Sequence, residues 1–162
     1  MADLTGYNKV FTGDTAKVDV TDKTHELGTR AYDDDGNEYI YLTGATSTVA
    51  GTWVTYDEAH LTTLAVADAK GRVAIAMAAT DATTDFGWYQ IYGKNTIALI
   101  TSVDAVANNA PLYLHASAGR IGDTDVAGDL VNGAVSRGVA TNTASPLTVE
   151  ISYPFVNDSA DD

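Results

Sequence analysis

At 162 residues, with 22 acidic against 9 basic side chains and a formal net charge of -13, the chain is long enough for one ordinary domain. That charge repels phosphates and anionic lipid heads, which argues against nonspecific binding to nucleic acid or membrane. There is no cysteine, so disulfide staples, thiolate zinc sites and thiol nucleophiles are excluded.

The sequence begins without a basic stretch followed by an apolar run, so no secretory leader is expected. No apolar run approaches the ~18 residues of a membrane span. Residues 1–24 are polar and irregular and read as an extended arm that orders against a neighbour or stays mobile. Within it, Lys17-Val18-Asp19-Val20-Thr21 alternates like a strand. The β-rich domain is expected over residues 25–157, with a possible subdivision near 68–71, and residues 158–162 as an acidic flexible tail.

Residues 25–43, HELGTRAYDDDGNEYIYLT, read as a hairpin with Asp35-Gly36 as the turn signal. The DDDGNE run invites a calcium reading. With Gly36 at the sixth position of an EF-hand loop, however, the first and twelfth ligands fall on Ala31 and Leu42, and that register fails. Residues 49–56 are the next expected strand, with Trp53 packed. Residues 57–60 read as a turn or one helical turn and 61–67 as a further strand. His60 has no second ligand at HxxxH-like spacing and reads as a surface histidine.

In residues 73–78, VAIAMA, the larger side chains fall on one face and Ala74, Ala76 and Ala78 on the other. A small-residue face permits close approach of a second sheet or a neighbouring subunit. After a polar loop at 80–85, residues 86–92, FGWYQIY, alternate with neither face polar, as in a strand covered on both sides. The row Phe86, Trp88, Tyr92 has three readings: core, stacking platform or subunit contact. Core takes precedence, because aromatics supply much of the burial in small β domains. Gly93-Lys94-Asn95 reads as a turn and residues 96–100 as a buried strand.

Further strands are expected at 111–115, starting at Pro111, at Arg120-Ile121, within 129–140, and at 147–153. The last alternates apolar-in and polar-out until Pro154 stops it. The total is about ten short strands, the pattern of a compact all-β barrel or sandwich.

No GxSxG elbow, P-loop, HExxH or GxGxxG is present, and His25, His60 and His115 have no catalytic-looking neighbours in sequence. Neither enzyme activity nor a metal or cofactor is expected.

Three segments resemble the capsid decoration proteins, or head cement proteins, of tailed phages. They are HELGTRAYDDDGNEYIYL, GRVAIAMAATDATTDFGWYQIYG and PLYLHASAGRIGDTDVAGDLVNGAVSRGVAT, in that order and spacing. The resemblance implies a structural virion protein, made in the host cytoplasm and added to the outside of an expanding head. It further implies the major capsid protein as partner, a homotrimer, and no catalytic residues. A second reading is a receptor- or carbohydrate-binding module of a head or tail fibre, with Trp53, Trp88 and Tyr92 stacking on sugars.

Overall fold

The computed structural model describes residues 14–101, 105–141 and 146–157. The expected tail, 158–162, and residues 1–13 of the expected arm lie outside them. The described chain is all-β, with eleven strands in one antiparallel sheet. In chain order these are β1 (Val18–Val20), β2 (Arg30–Tyr32), β3 (Glu38–Thr43), β4 (Trp53–Tyr56), β5 (Thr62–Leu64) and β6 (Gly71–Ala76). There follow β7 (Asp85–Ala98), β8 (Pro111–Leu114), β9 (Ile121–Gly122), β10 (Leu130–Ser136) and β11 (Leu147–Val156).

The apolar alternation of the central strands has a direct structural cause, because two of the layers are buried on both faces. In β6, Val73 and Ile75 enter a first core with Trp53, Leu112, Leu114, Ile121 and Ile151. Ala74 and Ala76 point the other way, into a second core with Ile40, Leu42, Val54, Tyr89 and Ile91. The β3 and β7 strands close that second core and turn Tyr39, Tyr41 and Trp88 into a third, with Phe86 packed against it. A strand between two cores has no solvent face, and its sequence shows none. Ala74 and Ala76 therefore pack within the protein's own second core, where no subunit face can reach them. Ala78 lies beyond the end of β6 and is half-buried.

β7 is longer than the sequence suggests. Residues 93–95 do not turn; the 14-residue strand runs through them and changes partner there. Its first half pairs with β3 (Thr43↔Phe86 to Glu38↔Tyr92), and its second half pairs with β11 (Ser152↔Tyr92 to Leu147↔Ala98). Gly93 makes this crossing possible. Its φ is 100°, and a Cβ there would overlap Asn37 Oδ1, which accepts the Lys94 N–H at 2.9 Å. Pro154 does not stop β11 either. The strand bulges between Ile151, opposite Ala134, and Phe155, opposite Asn132, and the proline sits inside that irregularity, where no ladder N–H is needed.

Other boundaries shift modestly. Only residues 53–56 of the expected 49–56 strand pair as β4, because Gly51 (φ 88°) belongs to the preceding turn. The connection at 68–71 joins β5 to β6, both of which pair with β4.

The end of the expected arm is part of the sheet: β1 pairs with β7, Val18 opposite Gly87. It is tied down by Asp19, whose carboxylate accepts from the Tyr41 hydroxyl, from Thr24 Oγ1 at 2.5 Å and from Lys17 Nζ at 3.1 Å. Burial pushes that carboxyl up, but these donors outweigh it and hold it well below the usual carboxylate range.

Candidate functional site

Register brings four strands together at one edge of the sheet. Tyr32 of β2 pairs with Glu38 of β3, Glu38 with Tyr92 of β7, and Tyr92 with Ser152 of β11. The β11 bulge then leaves Ser152 and Tyr153 both exposed, so the strand's alternation slips by one residue. Tyr153 and Phe155 face outward, while Pro154 and Val156 are buried.

Glu38 organises this edge. Its buried side chain accepts from Arg30 Nη1 at 2.7 Å through one oxygen and from the Tyr153 hydroxyl at 2.6 Å through the other. The Arg30 guanidinium also lies 5.8 Å from the centroid of the Tyr153 ring, and the Tyr92 ring lies 5.4 Å away at 34°. The hydrogen bond to Glu38, with some burial, pushes the Tyr153 hydroxyl up to about 12. Tyr153 itself has a φ of 47°, left-handed backbone directly before a proline, a conformation that needs outside support. Glu38, Arg30 and Tyr92 supply it.

Beside this cluster runs a groove of about 640 Å³, lined by Arg30, Tyr56, Arg72, Tyr153, Phe155 and their neighbours. Among the described residues the exposed large aromatics are Tyr32, Tyr92, Tyr153 and Phe155, between 41% and 50% exposed, and all four belong to this one edge. Arg72 makes no ion pair or side-chain hydrogen bond among the described residues, although the protein carries more than two acids for every base. The patch thus combines exposed tyrosines with arginines, residue types enriched at the centres of protein interfaces.

The expected site residues divide. Phe86 and Trp88 pack in the third core; Tyr92, at the far end of the same strand face, is exposed and belongs to the patch. Trp53 and Trp88 are 0% and 4% exposed, so neither presents a ring to a sugar. That removes two of the three stacking residues on which a carbohydrate-binding reading relied. His25 packs on Tyr41 and Trp88, His60 lies beneath Gly28, and His115 Nδ1 accepts the Ser117 N–H at 3.0 Å. No group of three or more metal-ligating side chains occurs among the described residues.

Sequence reading missed Tyr32, Arg30, Arg72, Tyr153 and Phe155. The signal for Tyr153 and Phe155 is Pro154 itself, because a proline within a strand is confined to an edge or a bulge, where the alternation can slip. No protein-family model, curated protein or solved structure matches this chain.

Proposed function

We propose that this protein is a structural component of a tailed-phage virion, which binds the major capsid protein on the outside of the head and stabilises the expanded shell as a trimer. The observation that carries the reading is the ordered resemblance of three segments to decoration proteins. Those segments hold β2–β3, β6 with the first half of β7, and β8–β10, so they account for most of the sheet. Support also comes from the aromatic–arginine patch, whose composition suits contact with another protein.

Mechanically, such a protein links neighbouring shell subunits against the pressure of packaged DNA. Interfaces of ordinary size, near ~800 Å² per partner, become strong when repeated over a shell, because each further contact forms at high effective concentration. In this scheme the expected arm, residues 1–24, grips neighbouring shell subunits, and removing the residues before β1 is expected to lower the heat resistance of decorated heads.

The direct test is copy number, measured by quantitative gel of purified virions. Hundreds of copies per particle are expected. A handful of copies would instead point to a fibre component and overturn the reading.

A further inference from the structure

We infer that the groove beside Tyr153 receives an extended, acidic segment of a partner protein, in which a carboxylate neighbours an apolar or aromatic side chain. The inference rests on the reading of this chain as a protein-binding virion component and names the chemistry of the contact.

Three observations select that occupant. The first is charge. In a chain of net charge -13, Arg72 lines the groove and is the one arginine with no side-chain ion pair or hydrogen bond among the described residues: Arg30 and Arg137 pair with carboxylates and Arg120 donates to the Ile100 carbonyl oxygen. Arg72 stands between Tyr56 and Phe155 in the strand register, and its guanidinium is a fork for a carboxylate from outside. The second is size. A groove of about 640 Å³ takes a few side chains of a strand-like segment. The third concerns the aromatics. The Tyr153 ring is already engaged by Arg30 and Tyr92, so it is a fixed wall and not a free stacking platform for a sugar. Phe155, 46% exposed, is the apolar contact left open beside Arg72. Rigid aromatic walls with one free arginine match the hot-spot chemistry of protein interfaces.

The experiment titrates the full chain, observed by NMR, with a capped peptide of alternating Asp and Phe. The same peptide with Lys for Asp and a trigalacturonate serve as competitors. The acidic peptide is expected to shift the Arg72, Tyr153 and Phe155 signals and to bind at least about tenfold more tightly than the basic one. Arg72→Glu, an exposed substitution that leaves the spectrum folded, should reverse that preference. Phe155→Ala should weaken the acidic peptide by up to about 30-fold. No response of these signals at millimolar peptide would overturn the inference, as would equal response to both peptides, or trigalacturonate binding more tightly than the acidic peptide. The two proposals fail separately. A low copy number in virions sinks the decoration reading whatever the peptides do. Heads coated equally well by wild type and Arg72→Glu sink the groove alone.

Discussion

The two oxygens of Glu38 are divided between two residues from distant parts of the chain: Arg30 donates to one at 2.7 Å and Tyr153 to the other at 2.6 Å. One buried carboxylate thereby fixes both the guanidinium and the ring that wall the groove. Glu38→Gln keeps the shape and removes the charge. Charge-assisted hydrogen bonds contribute roughly 1.5–3 kcal/mol when buried, and less here because Arg30 is partly exposed, so a loss of about 1–2 kcal/mol is expected by urea denaturation. The more specific readout is Tyr153, whose hydroxyl should return toward its ordinary 10.0 in the variant. An unchanged Tyr153 titration would show that Glu38 does not hold the ring.

Stability should respond to both ends of the pH scale through tyrosine–carboxylate pairs. Tyr153, through its bond to Glu38, and Tyr41, through burial and its bond to Asp19, are both raised from 10.0 to about 12. A proton held more tightly in the folded state gives stability that is complete below about pH 10 and lost as pH rises toward 12. Tyr41→Phe should flatten part of that fall. Asp19 is held below its ordinary 3.8, so its contribution is complete above that pH and declines as acid is added. Denaturation midpoints measured across pH 2 to 12 in wild type, Tyr41→Phe and Asp19→Asn test both limbs. A Tyr41→Phe curve parallel to wild type at alkaline pH would refute the Tyr41 assignment.

Much of the fold was legible because the central strands obey simple rules. β6 alternates Val and Ile against Ala because its faces meet two different cores, and β3 and the first half of β7 lack a polar face because they too lie between cores. The patch was illegible for one physical reason: it depends on where the period of two breaks. Reading β11 in strict alternation sends Tyr153 inward with Ile151, whereas a bulge of the kind Pro154 tolerates sends it outward. Gly93 departs from its sequence signal in the opposite sense. A glycine followed by Lys94 and Asn95 resembles a turn, yet its φ serves a crossing between partner strands. Arg72 could not be singled out from sequence, because its lack of a partner is a fact of three-dimensional neighbours.

Ala76 separates a core role from an interface role. It is 1% exposed within the second core, beside Tyr89 and Ile91. Ala76→Leu adds three carbons to a filled space and should cost about 1–3 kcal/mol through overpacking. Ala78→Leu, half-buried and outside the three cores, should stay within about 0.5 kcal/mol of wild type. Equal thermal stability of the two variants would contradict the packing described for β6.

The tryptophans give an optical test of the patch. With Trp53 and Trp88 at 0% and 4% exposure, native emission should be blue-shifted and resist quenching by iodide. Neutral oligosaccharides should leave it unchanged, since neither indole offers a face to stack on. Strong quenching of the folded protein by iodide or by a sugar would place a tryptophan at the surface and favour the carbohydrate reading.

Gly133 tests whether the β11 bulge positions Tyr153. Its φ is 76°, and a Cβ there would stand 2.5 Å from the carbonyl oxygen of Ser152, the residue before Tyr153. Gly133→Ala therefore faces both a left-handed backbone and an overlap with the backbone of β11. The variant relaxes by moving the bulge, at a cost of about 1–3 kcal/mol. Gly138→Ala is the matched control, because its nearest contacts would be at an ordinary 3.7 Å. Thermal unfolding should separate the two, and only Gly133→Ala should also lower the Tyr153 titration toward 10.0, because the hydroxyl is drawn away from Glu38. If Gly133→Ala destabilises the protein but leaves the Tyr153 titration near 12, the bulge supports the sheet without aiming the ring.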